Sequence, residues 1–167
     1  MILGICNGFQ ALLKAGLILP PDEDGPVATL THNTHGYQDR WLHLAVAPGN
    51  CPFLSGYERL HVPMAHGEGR LVCRENWILK GLEQAGQVVL RYVDVHGKPG
   101  PYPINPNGSE GDVAGLCDAS GRVLGLMPHP ERHALPTQHP AWTRRGLAEE
   151  GEGLRLFRNA VGYFAEA

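Results

Sequence analysis

A cysteine between two glycines, in Gly4-Ile5-Cys6-Asn7-Gly8, is the first group along the chain that could carry out chemistry. An apolar run precedes it and residues of helical composition follow it, so the spacing predicts a sharp turn from a strand into a helix, with the flanking glycines relieving crowding. A nucleophile in such a turn holds a strained backbone and faces a helix N-terminus, which favours a thiolate. The backbone N–H of Asn7 is expected to bind a developing oxyanion. A buried cysteine at the end of a strand is the alternative that this motif alone leaves open.

The segment LGLMPHPER, at 124–132, contains a base and a carboxylate that could serve this cysteine. Its two prolines disfavour a helix and predict an extended segment, in which residues two apart point to the same side. His129 and Glu131 are then neighbours, and the imidazole can act as a general base toward Cys6 while the carboxylate fixes its tautomer. Alone, His-Pro-Glu is typical of a polar loop. Together with the cysteine turn it predicts a Cys-His-Glu triad.

Metal and nucleotide sites are not expected in this chain. The histidine pairs His32 and His35, and His129 and His133, lack the helical H-E-x-x-H spacing and the paired cysteines of zinc sites. The glycine-rich stretch HGEGR, at 66–70, matches neither a P-loop nor a dinucleotide fingerprint. We therefore expect no metal and no nucleotide cofactor bound by the chain itself.

The composition narrows the class of protein further. The net charge of -3 over 167 residues, without a block of like charge, argues against binding to nucleic acid or to a membrane surface through charge. No apolar run approaches membrane-spanning length. Four cysteines lie far apart without a C-x-x-C pair, which favours reduced thiols and a cytoplasmic location.

The elements that must position the triad follow from the apolar patterns. Strands are predicted at Met1–Ile5, Trp41–Ala47, Arg59–Ala65, Gln87–Val93, Val113–Cys117 and Val123–Met127, and helices at Phe9–Ala15, at Glu75–Ala85 and at the C-terminal end. Pro63 indicates an edge strand or an irregularity. The C-terminal helix is expected to pack through one face, formed by Leu154, Phe157, Val161 and Phe164. Strands mixed with helices predict an α/β protein with a partly parallel sheet.

The two reactive motifs resemble those of a known family. Residues 6–10 (CNGFQ) and 129–131 (HPE) resemble the Cys-x-Gly-x-Gln and His-x-Glu motifs of class I, or triad, glutamine amidotransferases. The stretches GICNGFQALLKAGLILP, PMAHGEGR, NPNGS at 105–109 and GRVLGLMPHPER look like the glutaminase component of phosphoribosylformylglycinamidine synthase, an enzyme of purine biosynthesis. This resemblance spans nearly the whole chain. It implies a flavodoxin-like three-layer α/β fold with a mixed, mostly parallel sheet, in a single glutaminase domain at 1–167.

The resemblance also implies roles for the triad. Cys6 would attack the side-chain amide of glutamine, giving a γ-glutamyl thioester and ammonia. His129 would carry the proton, and Glu131 would orient His129. Gln10 matches the family glutamine that helps to hold the amino-acid end of the substrate.

Two further segments match the family with less definite roles. Asn33, Gly36 and Tyr37 lie in a turn where the family contacts its substrate. His66, Glu68 and Arg70 match a signature near the mouth of the site or at a partner surface. A hydrogen-bonded loop without a chemical role is the alternative for the second segment.

The resemblance implies partners as well as chemistry. The family passes ammonia to a separate ATP-dependent synthetase, which converts formylglycinamide ribonucleotide to the amidine, often together with a small accessory subunit. ATP and Mg²⁺ would belong to that synthetase, and this chain would bind glutamine without a cofactor. Two other functions stay open: a triad amidotransferase or γ-glutamyl hydrolase with another acceptor, and an impaired module that only binds a synthetase.

Family members carry more chain before the nucleophile strand, including a glycine-containing loop that supplies a second oxyanion N–H. The resemblance therefore implies that this sequence lacks an N-terminal part of the domain, with Met1 an internal or misassigned start. Loss of one oxyanion donor would lower the rate by about 10²–10³.

Overall fold

A computed structural model describes residues 1–165 of the chain. The strands are β1 (Ile2–Ile5), β2 (Ala28–His32), β3 (Gln38–Val46), β4 (Arg59–His66), β5 (Glu68–Cys73), β6 (Val88–Val93), β7 (Val113–Cys117) and β8 (Val123–Leu126). The helices are α1 (Asn7–Lys14), α2 (Asn76–Gln84), α3 (Trp142–Arg145) and α4 (Leu154–Ala165). Short 3₁₀ turns at Pro52–Leu54 and Pro130–His133 connect some of these elements. The predicted strands and the three predicted helices are thus present.

Six strands form one mixed sheet in the order β1-β8-β7-β6-β3-β4. The β1–β8 pair is parallel, and every other neighbouring pair described in this sheet is antiparallel. The mixed α/β class is confirmed, but between residues 1 and 165 the pairing is mostly antiparallel rather than mostly parallel. A short turn at 118–122 joins β7 to β8, and such a connection requires antiparallel neighbours. Pro63 lies in β4, at the edge of the sheet, as its missing N–H predicts.

The parallel β1–β8 pair brings the two reactive segments to the same end of the sheet. Ile5 is opposite Leu126, so Cys6 and the residues after β8 follow the carboxyl ends of neighbouring strands. Helix α1 packs directly on β8, and the absence of a side chain at Gly125 allows this. A Cβ at Gly125 would lie 2.1 Å from the ring of Phe9. Parallel pairing and close packing therefore place the nucleophile beside the predicted base.

Both faces of the sheet are covered, which gives three layers. Helices α1 and α2 and the two-stranded sheet β2-β5 cover one face, around a core that includes Phe9, Leu71, Ile78, Leu116 and Met127. Helix α4 and the turn Pro52–Leu54 cover the other, around Leu44, Val62, Leu90, Leu124 and Leu156. The β2-β5 sheet was not predicted. No helix described within residues 1–165 is long and apolar enough to cross a membrane.

Helix α4 packs through a different face from the predicted one. Leu156 is fully buried, whereas Val161 and Phe164 are 73% and 62% exposed. The side-chain amide of Asn159 donates to the carbonyls of Phe53 and Ser55, at 2.9 and 2.8 Å. These polar contacts fix the rotation of the helix, and a pattern of apolar residues alone does not contain them.

Candidate active site

Cys6 occupies the sharp strand-to-helix turn that the glycine spacing predicts. Its backbone has φ 53° and ψ -108°, a conformation that side-chain-bearing residues rarely adopt, and α1 begins at the next residue. Its N–H donates to the Leu126 carbonyl at 2.8 Å, which ties the turn to the end of β8. The space around the two glycines differs. A Cβ at Gly4 would lie 2.7 Å from the Gly8 backbone, whereas a Cβ at Gly8 would have no neighbour within 4 Å.

His129 and Glu131 form the predicted pair next to this turn. His129 Nδ1 lies 2.6 Å from Glu131 Oε1, and the His129 side chain is nearly buried while that of Glu131 is 41% exposed. The backbone N–H of His129 donates to the Pro63 carbonyl at 2.8 Å, which anchors the backbone of this residue to β4. The backbone differs from the prediction, because Pro130 begins a 3₁₀ turn and the segment is not extended. That turn still places both side chains on one side.

The charge state of His129 suits an acid that protonates a leaving nitrogen. The nearby Cys6 side chain and the Glu131 carboxylate raise the pKa of His129 to about 9, so the imidazole is protonated at neutral pH. Burial acts to raise the pKa of Glu131, but the hydrogen bond from His129, a backbone hydrogen bond and the charges of His129 and Arg132 together lower it, and the net shift is downward. Glu131 occupies Nδ1, and Nε2 makes no aligned hydrogen bond to any residue from 1 to 165. Nε2 is therefore the atom available for proton transfer.

The first turn of α1 supplies the other predicted groups. Asn7 is the first residue of the helix, where backbone N–H groups have no acceptor within the helix. The side-chain amide of Gln10 donates to the Glu68 carbonyl at 2.8 Å, which joins α1 to β5. A cleft of about 530 Å³ opens beside this turn and is lined in part by Asn7, Gln10, Lys14, Thr29 and Glu68. That volume accommodates a small ligand such as an amino acid.

The predicted substrate turn lies against the end of β4. The buried Asn33 amide donates to the carbonyls of Gly36 and His66, at 3.0 and 2.8 Å. Gly36 has a φ of 68°, which a turn of this shape requires, and Tyr37 is 67% exposed. The nitrogen of the Asn33 amide is therefore used to hold the backbone, and the contact of this turn with substrate stays a prediction.

The signature residues 66–70 fall into three different environments. His66 is 4% exposed and lies at the end of β4, where burial and then the charge of the nearby His129 lower the pKa of the His66 imidazole. Glu68 is at the surface and pairs with His32 at 3.3 Å. Arg70 donates to the Gly108 carbonyl at 3.2 Å. His66 ends β4, whereas Glu68 and Arg70 belong to β5, so these residues lie in two successive strands rather than in a loop. Their place at the mouth of the site or at a partner surface stays a prediction.

A buried polar network behind the site was not assigned from the sequence. Asn107 is fully buried, and its amide donates to the Gly69 carbonyl at 2.9 Å and meets the Tyr92 hydroxyl at 3.2 Å. The Ser109 hydroxyl accepts from the Leu71 N–H at 3.0 Å. This network ties the 107–109 segment to β5. The NPNGS segment was noted only for its resemblance, and nothing in its pattern shows which strand it contacts.

A cluster of histidine side chains packs against the turn that carries His129. His43 and His61 stack with ring centroids 4.2 Å apart, and Trp41 contacts His61, His133 and His139. His133 Nδ1 lies 2.8 Å from the His61 carbonyl, which ties the 3₁₀ turn to β4. Burial, followed by the charge of His43, lowers the pKa of His61 to about 4. Within residues 1–165 no group of three or more His, Cys, Asp or Glu could hold a metal ion.

Comparison with known proteins identifies the family. Residues 1–164 match the family described as a CobB/CobQ-like glutamine amidotransferase domain, and the chain belongs to this family. It is 49% identical over 164 residues to the phosphoribosylformylglycinamidine synthase subunit PurQ of Dehalococcoides mccartyi, covering 96% of this chain and 62% of that protein. It is 40% identical over 179 residues to the PurQ subunit of Methanococcus maripaludis, covering 98% and 65%. The chain thus spans less than two thirds of the length of these relatives.

Comparison with solved structures supports the same family assignment. The structure of PurLQS from Thermotoga maritima is similar with a TM-score of 0.70 and 31% identity, covering 98% of this chain and 62% of that one. A glutamine amidotransferase from the same organism gives a TM-score of 0.53 at 18% identity, which is evidence for the fold alone. The fold is that of the class I glutamine amidotransferases.

Proposed function

We propose that this chain hydrolyses glutamine through a thioester on Cys6 and supplies the ammonia to a phosphoribosylformylglycinamidine synthase. The observation that carries the proposal is the strained Cys6 turn beside the His129–Glu131 pair, whose Nδ1 and Oε1 atoms lie 2.6 Å apart. The choice of synthase rests on the relatives named PurQ and on the similarity to PurLQS.

The arrangement supports acyl transfer in two stages. Cys6 Sγ attacks the side-chain carbonyl carbon of glutamine, and the Asn7 N–H stabilises the oxyanion that forms. His129 gives its proton to the nitrogen, the carbon–nitrogen bond breaks and ammonia leaves. Water then attacks the γ-glutamyl thioester, with His129 as the base, and releases glutamate. Glu131 holds the imidazole through Nδ1 in both stages.

The substrate would lie along the first turn of α1. We place the amino-acid end of glutamine in the cleft beside Gln10, and the turn at Asn33, Gly36 and Tyr37 near the same substrate. The cleft and the Gln10 contact with Glu68 support this placement. Glu68 and Arg70 are the part of the 66–70 segment that we assign to the site mouth or partner surface.

The proposed partners are a synthetase subunit, which would bind ATP and Mg²⁺, and a small accessory subunit. The name of the PurLQS assembly supports a multi-subunit complex. We also propose a cytoplasmic location, which is consistent with a role in purine synthesis. The four free thiols support this proposal, because thiols stay reduced in that compartment.

The test compares two reactions of the complex formed with the synthetase subunit from the same organism. Wild-type chain is expected to release ammonia from glutamine and to support formation of the amidine product. The variant Cys6→Ala is expected to lose both, while added ammonium chloride still supports amidine formation by the complex. Ammonia release that persists in Cys6→Ala would refute the assignment of Cys6 as the nucleophile. Cys6-dependent ammonia release without amidine formation would indicate an amidotransferase that serves another acceptor.

A further inference from the structure

The buried polar atoms without a partner all lie in one region. Between residues 1 and 165, four buried side-chain atoms have no hydrogen-bond partner: Asn33 Oδ1, His66 Nδ1, His66 Nε2 and His129 Nε2. Buried polar groups are nearly always paired, so an unpaired group at a reactive site points to a functional use. His129 Nε2 is explained by its proposed proton transfer to the leaving nitrogen and from the attacking water. The two nitrogens of His66 have no use in the mechanism described so far.

His66 is held in place by packing and by its backbone. A Cβ at Gly69 would lie 2.3 Å from His66 Cε1 and 2.7 Å from Met127 Cε, so the imidazole fits against the bare Gly69 backbone near Met127. The Asn33 amide donates to the His66 carbonyl at 2.8 Å. Gln10 binds the Glu68 carbonyl two residues further on, which keeps this segment next to the helix that follows Cys6. The ring is therefore fixed without any protein hydrogen bond to its nitrogens.

The environment of His66 keeps its imidazole neutral. Burial, and then the charge of the nearby His129, lower the pKa of His66 to about 4. A neutral imidazole has one nitrogen that accepts a hydrogen bond and one that donates. Its accepting nitrogen can therefore take a hydrogen bond from a neutral N–H group, such as that of an amide or of ammonia.

We propose that His66 accepts a hydrogen bond from the nitrogen that leaves glutamine, and so binds the departing ammonia beside His129. This proposal rests on the proposed glutaminase function. In the step concerned, the Cys6 sulfur–carbon bond is formed, the carbon–nitrogen bond breaks, and the proton on His129 moves to the nitrogen. His66 gains and loses no proton. Its lone pair orients the nitrogen so that the nitrogen lone pair faces His129.

The test uses the chain in complex with the synthetase subunit and two substrates that differ in the leaving atom. Glutamine loses nitrogen, which carries N–H groups, whereas glutamate γ-methyl ester loses oxygen, which has none to donate. His66→Leu removes both ring nitrogens and keeps an apolar side chain of similar bulk. We expect it to lower kcat for glutamine by about tenfold to a hundredfold. For the methyl ester we expect a loss below threefold. His66→Gln, whose side-chain oxygen accepts, should recover most of the glutamine rate.

The control is His96→Leu at an exposed histidine, which should leave both rates unchanged. Equal losses on both substrates for His66→Leu would overturn the proposal and indicate a structural role, and an unchanged glutamine rate would overturn it as well. A wild-type complex with no Cys6-dependent glutamine hydrolysis would overturn the proposed function together with the role of His66. Glutamine hydrolysis that depends on Cys6 but is unchanged in His66→Leu would overturn the role of His66 and leave the proposed function intact.

Discussion

Gly4 and Gly8 lie two residues before and after Cys6, but their surroundings differ, and an alanine at each should have opposite effects on stability. A Cβ at Gly4 would lie 2.5 Å from Leu12 Cδ1 and 2.7 Å from the backbone carbon and oxygen of Gly8. The Leu12 side chain can rotate away. The Gly8 backbone cannot move without shifting α1 away from β1. At Gly8 a Cβ would enter open space, and the backbone there has no positive φ.

The size of the difference follows from these contacts. Forcing a methyl group into a packed site costs about 1–3 kcal/mol. Replacing a glycine by alanine where the backbone permits it stabilises by about 0.4–1 kcal/mol, because the unfolded chain loses freedom. The free energies of unfolding of Gly4→Ala and Gly8→Ala should therefore differ by roughly 1.5–4 kcal/mol. In a domain of this size that corresponds to a gap in Tm of about 3–16 °C.

Thermal and urea unfolding of the two variants and wild type measure this gap, with Gly8→Ala as the matched control. Gly4→Ala should also reduce glutamine hydrolysis, since a displacement of about 1 Å between Cys6 and His129 can cost about 100-fold. A Gly4→Ala protein as stable as wild type would refute the reasoning. So would a Gly8→Ala protein that is destabilised as much as Gly4→Ala.

Three further predictions concern the surroundings of the triad. Glu131→Gln removes one of the two groups that raise the pKa of His129 to about 9, so the alkaline fall in kcat/KM should move to lower pH in a pH–rate profile. Asn107→Ala removes the buried hydrogen bonds that this side chain makes with the Gly69 carbonyl, the Tyr92 hydroxyl and the Ser109 N–H, and should lower the free energy of unfolding by about 2–4 kcal/mol in urea titrations. Glu68→Gln breaks an ion pair with His32 whose side chains are 58% and 81% exposed, and should change that free energy by less than about 0.5 kcal/mol.

Each of these predictions has a contradicting result. An unmoved alkaline limb in Glu131→Gln would show that the carboxylate does not hold the imidazolium. A change below about 0.5 kcal/mol for Asn107→Ala would show that the buried network is not structural. A large loss of stability in Glu68→Gln would assign its carboxylate a buried role that its exposure contradicts.

The sequence predicted those structural features that depend on a single short segment. The glycines around Cys6 predicted the strained turn, and Pro63 indicated an edge strand or an irregularity, of which the structure shows the edge strand. Each of these features depends on backbone geometry within a few residues. His129 and Glu131 were expected as neighbours, and they are, although a 3₁₀ turn and not an extended segment joins them. The closeness of these two side chains was therefore predictable from the sequence, whereas the turn that joins them was not.

Features that depend on distant segments were missed. The β2-β5 sheet pairs residues about forty positions apart, and β2 is short and half-exposed, so its pattern is weak. Helix α4 carries apolar residues on more than one face, and Asn159 selects the buried one through contacts with the turn at 52–54. The burial of Asn107 and His66 likewise follows from packing across the sheet. A helical or strand period cannot reveal such contacts.

The central claim is that Cys6 forms a γ-glutamyl thioester with glutamine. The most direct measurement is mass spectrometry of peptides from the synthetase complex, quenched with acid during turnover of glutamine. The claim predicts a mass increase of one γ-glutamyl group on the peptide that contains Cys6, and none on the peptides with the buried thiols of Cys51, Cys73 and Cys117. An adduct on one of those three cysteines, or turnover of glutamine with Cys6 unmodified under conditions that preserve a thioester, would contradict the claim.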